Sequence, residues 1–473
     1  MTNPAADRPD ADRPAADFAP FDALMRAEGL PEIAIRTFAH YYGQLAAGHT
    51  GLLPESELTP AADVADAEAL PARLADAGRR ALGETVMLKL NGGLGTGMGL
   101  ERAKSLLPIR DGLTFLDIIV RQARAAGVPL LLMNSFSTRA DSLARLAGQP
   151  LPDRGLPPDF LQHKVPKILA DDLRPAVWPR DPDLAWCPPG HGDLYTALQT
   201  SGLLARLLAG GFRWAFVSNA DNLGATIDPV ILGHVVTTGA PLVMEVADRT
   251  AADRKGGHLA RRRDGQLVLR ELAQCPPADE AAFQDTDRHR YFNTNTLWLN
   301  LRALDALLGL GGGIMRLPMI RNRKTLDPRD PASPAVYQLE TAMGAAIETF
   351  TGAAALRVPR ARFAPIKHTS DLLNVRSDNY LLGDDHRVVP NPRRTLPALV
   401  IDLDAAFYRF VDDLDRRFPG GPPSLVGCRA LTIRGDVRFG SGVVLRGDIL
   451  LKAAPGSVRE IPDDTVICGD SLA

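Results

Sequence analysis

Cysteine is scarce in this sequence. Its four copies, Cys187, Cys275, Cys428 and Cys468, stand far apart and form no CxxC pair. That argues against a disulfide framework and a structural zinc site, and points to a reducing compartment. No apolar run is long enough to span a bilayer. The N-terminus, MTNPAADRPDADRPAADFAP, lacks the apolar stretch of a signal peptide and repeats Ala-Asp-Arg-Pro, so residues 1–20 read as a disordered tail. Nor does one sign of charge dominate. The 54 Lys and Arg against 56 Asp and Glu leave no overall field to draw nucleic acid or an anionic membrane to the surface. Together these absences predict a soluble, cytoplasmic protein in which any anionic ligand is held by a local site.

A chain of 473 residues exceeds what one core usually supports, so a large domain with smaller companions is expected. From residue 21 to 80, FDALMRAEGL and ADAEALPARLADAGRRAL carry apolar residues at helical spacing and predict a helical lead-in. From 81 to about 400, the buried runs ETVMLKL, VPLLLMNS and FRWAFVSNAD alternate with amphipathic helices such as LYTALQTSGLLARLLAGG. This alternation predicts an α/β domain with a mostly parallel sheet, whose ligands lie beyond the carboxyl ends of the strands. Over residues 401–473 the texture changes. Leu425, Leu431, Val437, Val443 and Ile449 recur every six residues, with Gly435 and Gly447 between them. Six is the period of a left-handed parallel β-helix, in which each aliphatic residue stacks on the one before; an antiparallel meander is the alternative. Such a coil has an open end, where a second copy of the chain is expected to bind.

The densest chemical signal is LKLNGGLGTGMG, directly after the first apolar run. Glycines at 92, 93, 95, 97 and 99 permit positive φ and let successive N–H groups face a polyphosphate. No Gly-Lys-Ser/Thr closes the loop and no clear acid ends the next strand, so neither the Walker nor the dinucleotide fingerprint fits. Lys104, eleven residues beyond Gly93, is spaced to fold an ammonium back over phosphates in the loop. In WCPPGHGDLYTAL two prolines stiffen the approach to Gly190, His191 and Gly192; His191 has little to pack against and is expected to touch a ligand, and Asp193 to cap the following helix. FVSNADNLGATID sets Asn219, Ala220, Asp221 and Asn222 at a strand's carboxyl end. Asp221 is the expected magnesium ligand, since magnesium takes one or two carboxylates plus phosphate oxygens. Asp228 is the alternative, but it precedes Pro229 and reads as a helix cap. Lys255, Gly256, Glu271, Asn293 and Asn295 supply groups suited to a hydroxyl-rich ligand, and Lys367 a further cation.

These segments together resemble the eukaryotic-type UTP–glucose-1-phosphate uridylyltransferases. The likeness runs from about residue 85 to 380, in order, through LKLNGGLGTGMG, AKS, LMNSFST, FLQHKVPKI, PPGHGD, FVSNADNLGATID, KGG, NTNTLW, VYQLETAMGAAI and KHTSDLL, and continues into the terminal coil. The resemblance implies a Rossmann-like nucleotidyltransferase domain that joins UTP and glucose 1-phosphate into UDP-glucose and pyrophosphate, with magnesium. By matching motif it assigns Leu90, Asn91, Gly92 and Gly93 to the nucleotide, Lys104 and Lys367 to phosphates, and Gln162 and Gly190 to uracil. His191, Asn219 and Asp221 fall to the sugar phosphate and metal, with Ala220 in the same strip, and Gly256, Glu271 and Asn295 to the hexose. The sequence departs from the commonest pattern at Ala103, at Ala220 and at Thr296, the last near the expected hexose. In the implied mechanism a sugar-phosphate oxygen attacks the α-phosphorus of UTP in line; the nucleophile is already anionic, so no covalent intermediate and no general base are assigned. Another sugar 1-phosphate is the competing substrate, and a silent nucleotide-sugar binding protein the competing class.

Overall fold

The structure, a computed structural model, describes residues 17–250 and 253–469. Most of the expected N-terminal tail lies outside these residues; its last two, Ala19 and Pro20, already open the first helix. The chain divides into two compact units, one of Met1–Val86, Phe160–Val217 and Pro229–Val358, the other of Met87–Asp159, Ser218–Asp228 and Pro359–Ala473.

In the first unit, helices Ala19–Ala27 and Glu32–Ala46 bury Phe21, Met25, Ile35, Phe38, Tyr42 and Leu45 on faces spaced by three and four residues. Those side chains share a core with Val165, Ile168, Tyr337 and Leu339. The lead-in is not wholly helical. Leu58–Pro60 pairs antiparallel with His258–Arg262, and Ala65–Asp66 pairs parallel with Ala354–Arg357. The helix Leu74–Ala81 begins only beyond Pro71, because proline inside a helix removes a hydrogen bond and clashes with the preceding turn. The helix expected over LYTALQTSGLLARLLAGG is likewise two, Leu194–Thr200 and Leu203–Ala209, separated at Gly202.

The unit's main sheet is mixed, not mostly parallel. Leu242–Asp248 runs parallel to Ala354–Arg357, but Tyr291–Asn300 is antiparallel to both Leu242–Asp248 and Trp214–Asn219. A parallel neighbour needs a long crossover, usually a helix. Tyr291–Asn300 is reached instead through the hairpin of His258–Arg262 and Leu267–Arg270, followed by the five-residue helix Glu280–Gln284.

The second unit holds the expected parallel crossover. Met87–Asn91 pairs parallel with Leu130–Asn134, joined through helix Phe115–Ala126, which Thr114 and Asp117 open with a capping box and Gly127 closes at φ 66°. The strand Thr85–Asn91 is buried at every position, which is why it reads as an unbroken apolar run. Beyond residue 400, Val400–Leu403, Cys428–Arg434, Val444–Lys452 and Val466–Cys468 stack as one parallel sheet, and Asp436–Phe439 and Val458–Ile461 as another. All five aliphatic residues of the six-residue series are buried, and Leu431 lies opposite Ile449. Repeated parallel pairing between successive passes rules out the meander. Among the described residues no helix is long and apolar enough to cross a membrane, and all four cysteines are free thiols.

Candidate functional site

The second unit brings together the glycine loop, Lys104, Asp221 and the backbone leading to Lys367. Strand Thr85–Asn91 delivers the chain into the loop, where Gly95 and Gly99 alone among the five glycines take positive φ, at 72° and 76°. The loop is tied down through its carbonyls: Gly93 O accepts from Lys104 N at 3.1 Å, Gly92 O from Ser135 Oγ at 3.0 Å, and Leu90 O from Ala220 N at 3.0 Å. Among the described residues, none accepts from the N–H groups of Gly93 through Gly97. Five successive donors are thus left to solvent or ligand, a supply that an anion can use.

Lys104 Nζ bonds Asp221 Oδ2 at 2.6 Å, with both side chains largely shielded, 15% and 24% exposed. The two residues singled out for charge chemistry are thus in direct contact. Asp221 suits magnesium as a lone protein ligand. No described group bonds its Oδ1, and among the described residues no set of three acids, histidines or cysteines forms a cage. Magnesium that takes most of its oxygens from phosphate and water needs no more than this. Asn222 is the pin beside it. Its Nδ2 donates to Arg362 O at 3.1 Å, and its Oδ1 accepts from Gly224 N and Ala364 N at 3.2 and 3.1 Å. With Ile366 N donating to Asp221 O at 3.3 Å, this seats the backbone just before Lys367. Lys367 itself is exposed, its N–H and that of His368 both donating to Asp371 Oδ2 at 2.8 Å.

Asn91 is buried, and its amide donates to Asn134 Oδ1 at 2.7 Å and Ser142 Oγ at 2.8 Å. Its side chain therefore braces the strand end under the loop, so any part it takes in holding a nucleotide falls to its backbone.

The first unit gathers Gln162, Gly190, His191, Gly256, Glu271 and Asn295. Gln162 Nε2 donates to Gly190 O at 2.9 Å. Gly190 sits at φ 79°, and a Cβ there would lie 2.4 Å from Thr341 O, so both conformation and space demand glycine. Asp193 does not cap the next helix with its side chain. Its carboxylate accepts from His163 N at 2.7 Å and engages His163 Nδ1 at 2.9 Å, while His163 Nε2 meets Thr200 Oγ1 at 3.1 Å. Burial alone would lower the His163 pKa, but the hydrogen bond and charge of Asp193 outweigh it and raise it. Aspartate before a helix equally suits capping, and a partner 30 residues away leaves no local pattern, so this clasp is not legible in the sequence.

His191 Nδ1 accepts from Met343 N at 2.9 Å, which places its proton on Nε2 and leaves that atom as a donor. Burial pulls its pKa down to about 4, so the ring is neutral at physiological pH. Nearby, Glu271 carboxylate oxygens lie where a Cβ on Gly257 would stand, 2.5 Å away, and Asn293 N donates to Gly257 O at 3.0 Å. Asn293 and Asn295 bond each other twice, Nδ2 to Oδ1 at 2.9 Å and Oδ1 from N at 3.0 Å. Asn295 takes φ 53° where the register with Leu242–Asp248 slips, a bulge that re-aims a side chain out of the strand. Thr296, one residue on, is wholly buried and its hydroxyl has no partner among the described residues. It faces the interior, so the departure from asparagine at this position alters the core and not a ligand surface.

The sequence profile of the family described as UTP–glucose-1-phosphate uridylyltransferase matches residues 36–446. The chain is 40% identical over 402 residues to the UTP–glucose-1-phosphate uridylyltransferase of Solanum tuberosum, covering 83% of this chain and 82% of that one. It is 42% identical over 393 residues to the Saccharomyces cerevisiae protein of the same name, covering 82% and 77%. Among solved structures, a variant of UDP-glucose pyrophosphorylase from Leishmania major in complex with UDP-glucose superposes with a TM-score of 0.89 at 42% identity, over 95% of this chain and 98% of that one.

Proposed function

The chain belongs to the UTP–glucose-1-phosphate uridylyltransferase family, and on that footing we propose that it transfers the uridylyl group of UTP to glucose 1-phosphate, releasing pyrophosphate. The observation that carries the reading is the run of free N–H groups from Gly93 to Gly97 beside the Lys104–Asp221 pair. The amides and Lys104 take the triphosphate, and charge that builds on the departing pyrophosphate is met by donors already in position. Lys104 is held against Asp221 until phosphate oxygens compete for its ammonium. Magnesium bound at Asp221 supplies further neutralisation of the phosphates. Lys367, exposed on a backbone fixed by Asn222 and Asp371, adds a second cation. Asn219 and Ala220 line the same strip as Asp221.

Gln162 and Gly190 read uracil: an amide and a backbone N–H offer an acceptor and a donor to the base edge. His191 Nε2–H donates to the sugar phosphate as a neutral imidazole, and Glu271, Asn295 and Gly256 bind the hexose hydroxyls. The sugar phosphate attacks the α-phosphorus in line; with an anionic nucleophile no residue has to take a proton.

The division into a lead-in to residue 80, a catalytic region to about 400 and a terminal coil belongs to this proposal, as do the left-handed sense of the coil, assembly of copies through its open end, and a cytoplasmic setting. Support for assembly comes from Val458 and Val466, which are 43% and 55% exposed on the last turns. Support for the setting comes from the four free thiols.

The test is pyrophosphate release from UTP and magnesium with a panel of sugar 1-phosphates, and with ATP, CTP, GTP and dTTP as controls. Rapid release with UTP and glucose 1-phosphate is expected. Preference for another sugar would keep the chemistry and move the substrate, whereas silence with every sugar would overturn the reading.

A further inference from the structure

The first unit holds a polar cavity of about 480 Å³ that contains none of the residues assigned to the reaction, a size within the roughly 300–1,000 Å³ of small-molecule sites. Its walls are fixed by close approach. Gly51 adopts φ 72°, a Cβ there would meet Met319 O at 2.3 Å, and Leu53 N donates to Gln274 O at 2.7 Å.

The lining carries two kinds of group. The exposed Arg316 pairs with no carboxylate among the described residues. It lies near enough to His40 that its charge adds to burial in lowering that imidazole's pKa. His40 Nε2 is 2.9 Å from Gln44 Nε2. Elsewhere in the lining, Arg262 donates to Glu348 Oε2 at 3.0 Å and faces Glu57 at 3.6 Å. Glu348 is only 10% exposed, and the buried Gln274 also belongs to the lining.

We propose that this cavity is a second ligand site, for a phosphorylated and hydroxyl-bearing metabolite of the hexose phosphate class. The guanidinium of Arg316 suits a phosphate dianion. The carboxylate of Glu348, the guanidinium of Arg262 and the amide of Gln274 supply acceptors and donors, the set that neighbouring hydroxyls require. A plain anion would leave those acceptors unused, and a neutral polyol would leave Arg316 unused.

The test is calorimetric titration of the full chain, kept saturated with UDP-glucose, using glucose 6-phosphate, inorganic phosphate and glucose as probes. Saturable binding of glucose 6-phosphate is expected, at least tenfold tighter than either fragment. Arg316→Ala and Glu348→Gln should each weaken it at least tenfold, with melting temperature and turnover at saturating substrates unchanged. Binding that is absent, that UDP-glucose displaces, or that both variants retain would overturn the site. Equal affinity for inorganic phosphate would overturn the hexose phosphate assignment. Titration with UDP-glucose alone comes first, so that failure of the catalytic reading registers as its missing binding and not as a missing second site.

Discussion

Lys104 and Asp221 illustrate how a single contact constrains a reaction. Their 2.6 Å pair holds a cation beside the glycine loop; under the proposed function, Lys104→Ala and Asp221→Ala should each lower kcat by about a thousandfold with the melting temperature little changed. Steady-state kinetics beside a thermal melt checks this, and near-normal turnover in either variant would refute the assignment. Thr296 makes a prediction of the opposite kind. Its buried hydroxyl lacks a partner among the described residues, so Thr296→Val should raise stability by about 1 kcal/mol without altering sugar preference, as read from denaturant midpoints. His191 gives a pH signature. Its folded pKa of about 4 lies below the ordinary 6.5, so between these values the unfolded chain binds the extra proton. Stability therefore falls as pH drops from 6.5 to 4, and rises with pH across that window. A His191→Gln variant should show a shallower decline over the same range, measured by chemical denaturation at fixed temperature.

The turn at 188–193 shows what an element adds to its residues. Thr341 N donates to Pro189 O at 3.0 Å and Gly192 N to Thr341 O at 2.8 Å, while the His163–Asp193 clasp joins the turn to the segment carrying Gln162. Clasp and turn together set the spacing between Gln162 and Gly190. Asp193→Asn and His163→Gln should therefore raise KM for UTP and narrow its advantage over CTP by about tenfold, leaving kcat largely intact. Equal losses for both nucleotides would mark the clasp as purely structural. The bulge at Asn295 acts similarly within its strand, turning a residue outward where regular pleating would bury it.

For the molecule as a whole, the last turns of the parallel coil expose Val458 and Val466. If copies assemble through it, Val458→Glu with Val466→Glu should reduce the native mass to that of one chain while each chain remains folded, as light scattering on a sizing column would show. A wild type already at the single-chain mass would refute assembly.

How much of this was legible in the sequence follows from the range of the forces involved. Buried strands, the glycine loop, the six-residue period of the coil and the family likeness are local patterns, fixed by side-chain spacing and backbone freedom along a few residues. They sufficed to select Lys104, Asp221, Gly190 and His191. The antiparallel entry of Tyr291–Asn300, the break at Gly202, the inward use of Asn91, the clasp of Asp193 and the burial of Thr296 were decided only in three dimensions. Each depends on which distant group satisfies a buried hydrogen bond or fills a space, and partners 30 residues apart, as His163 and Asp193 are, leave no periodic trace in the chain.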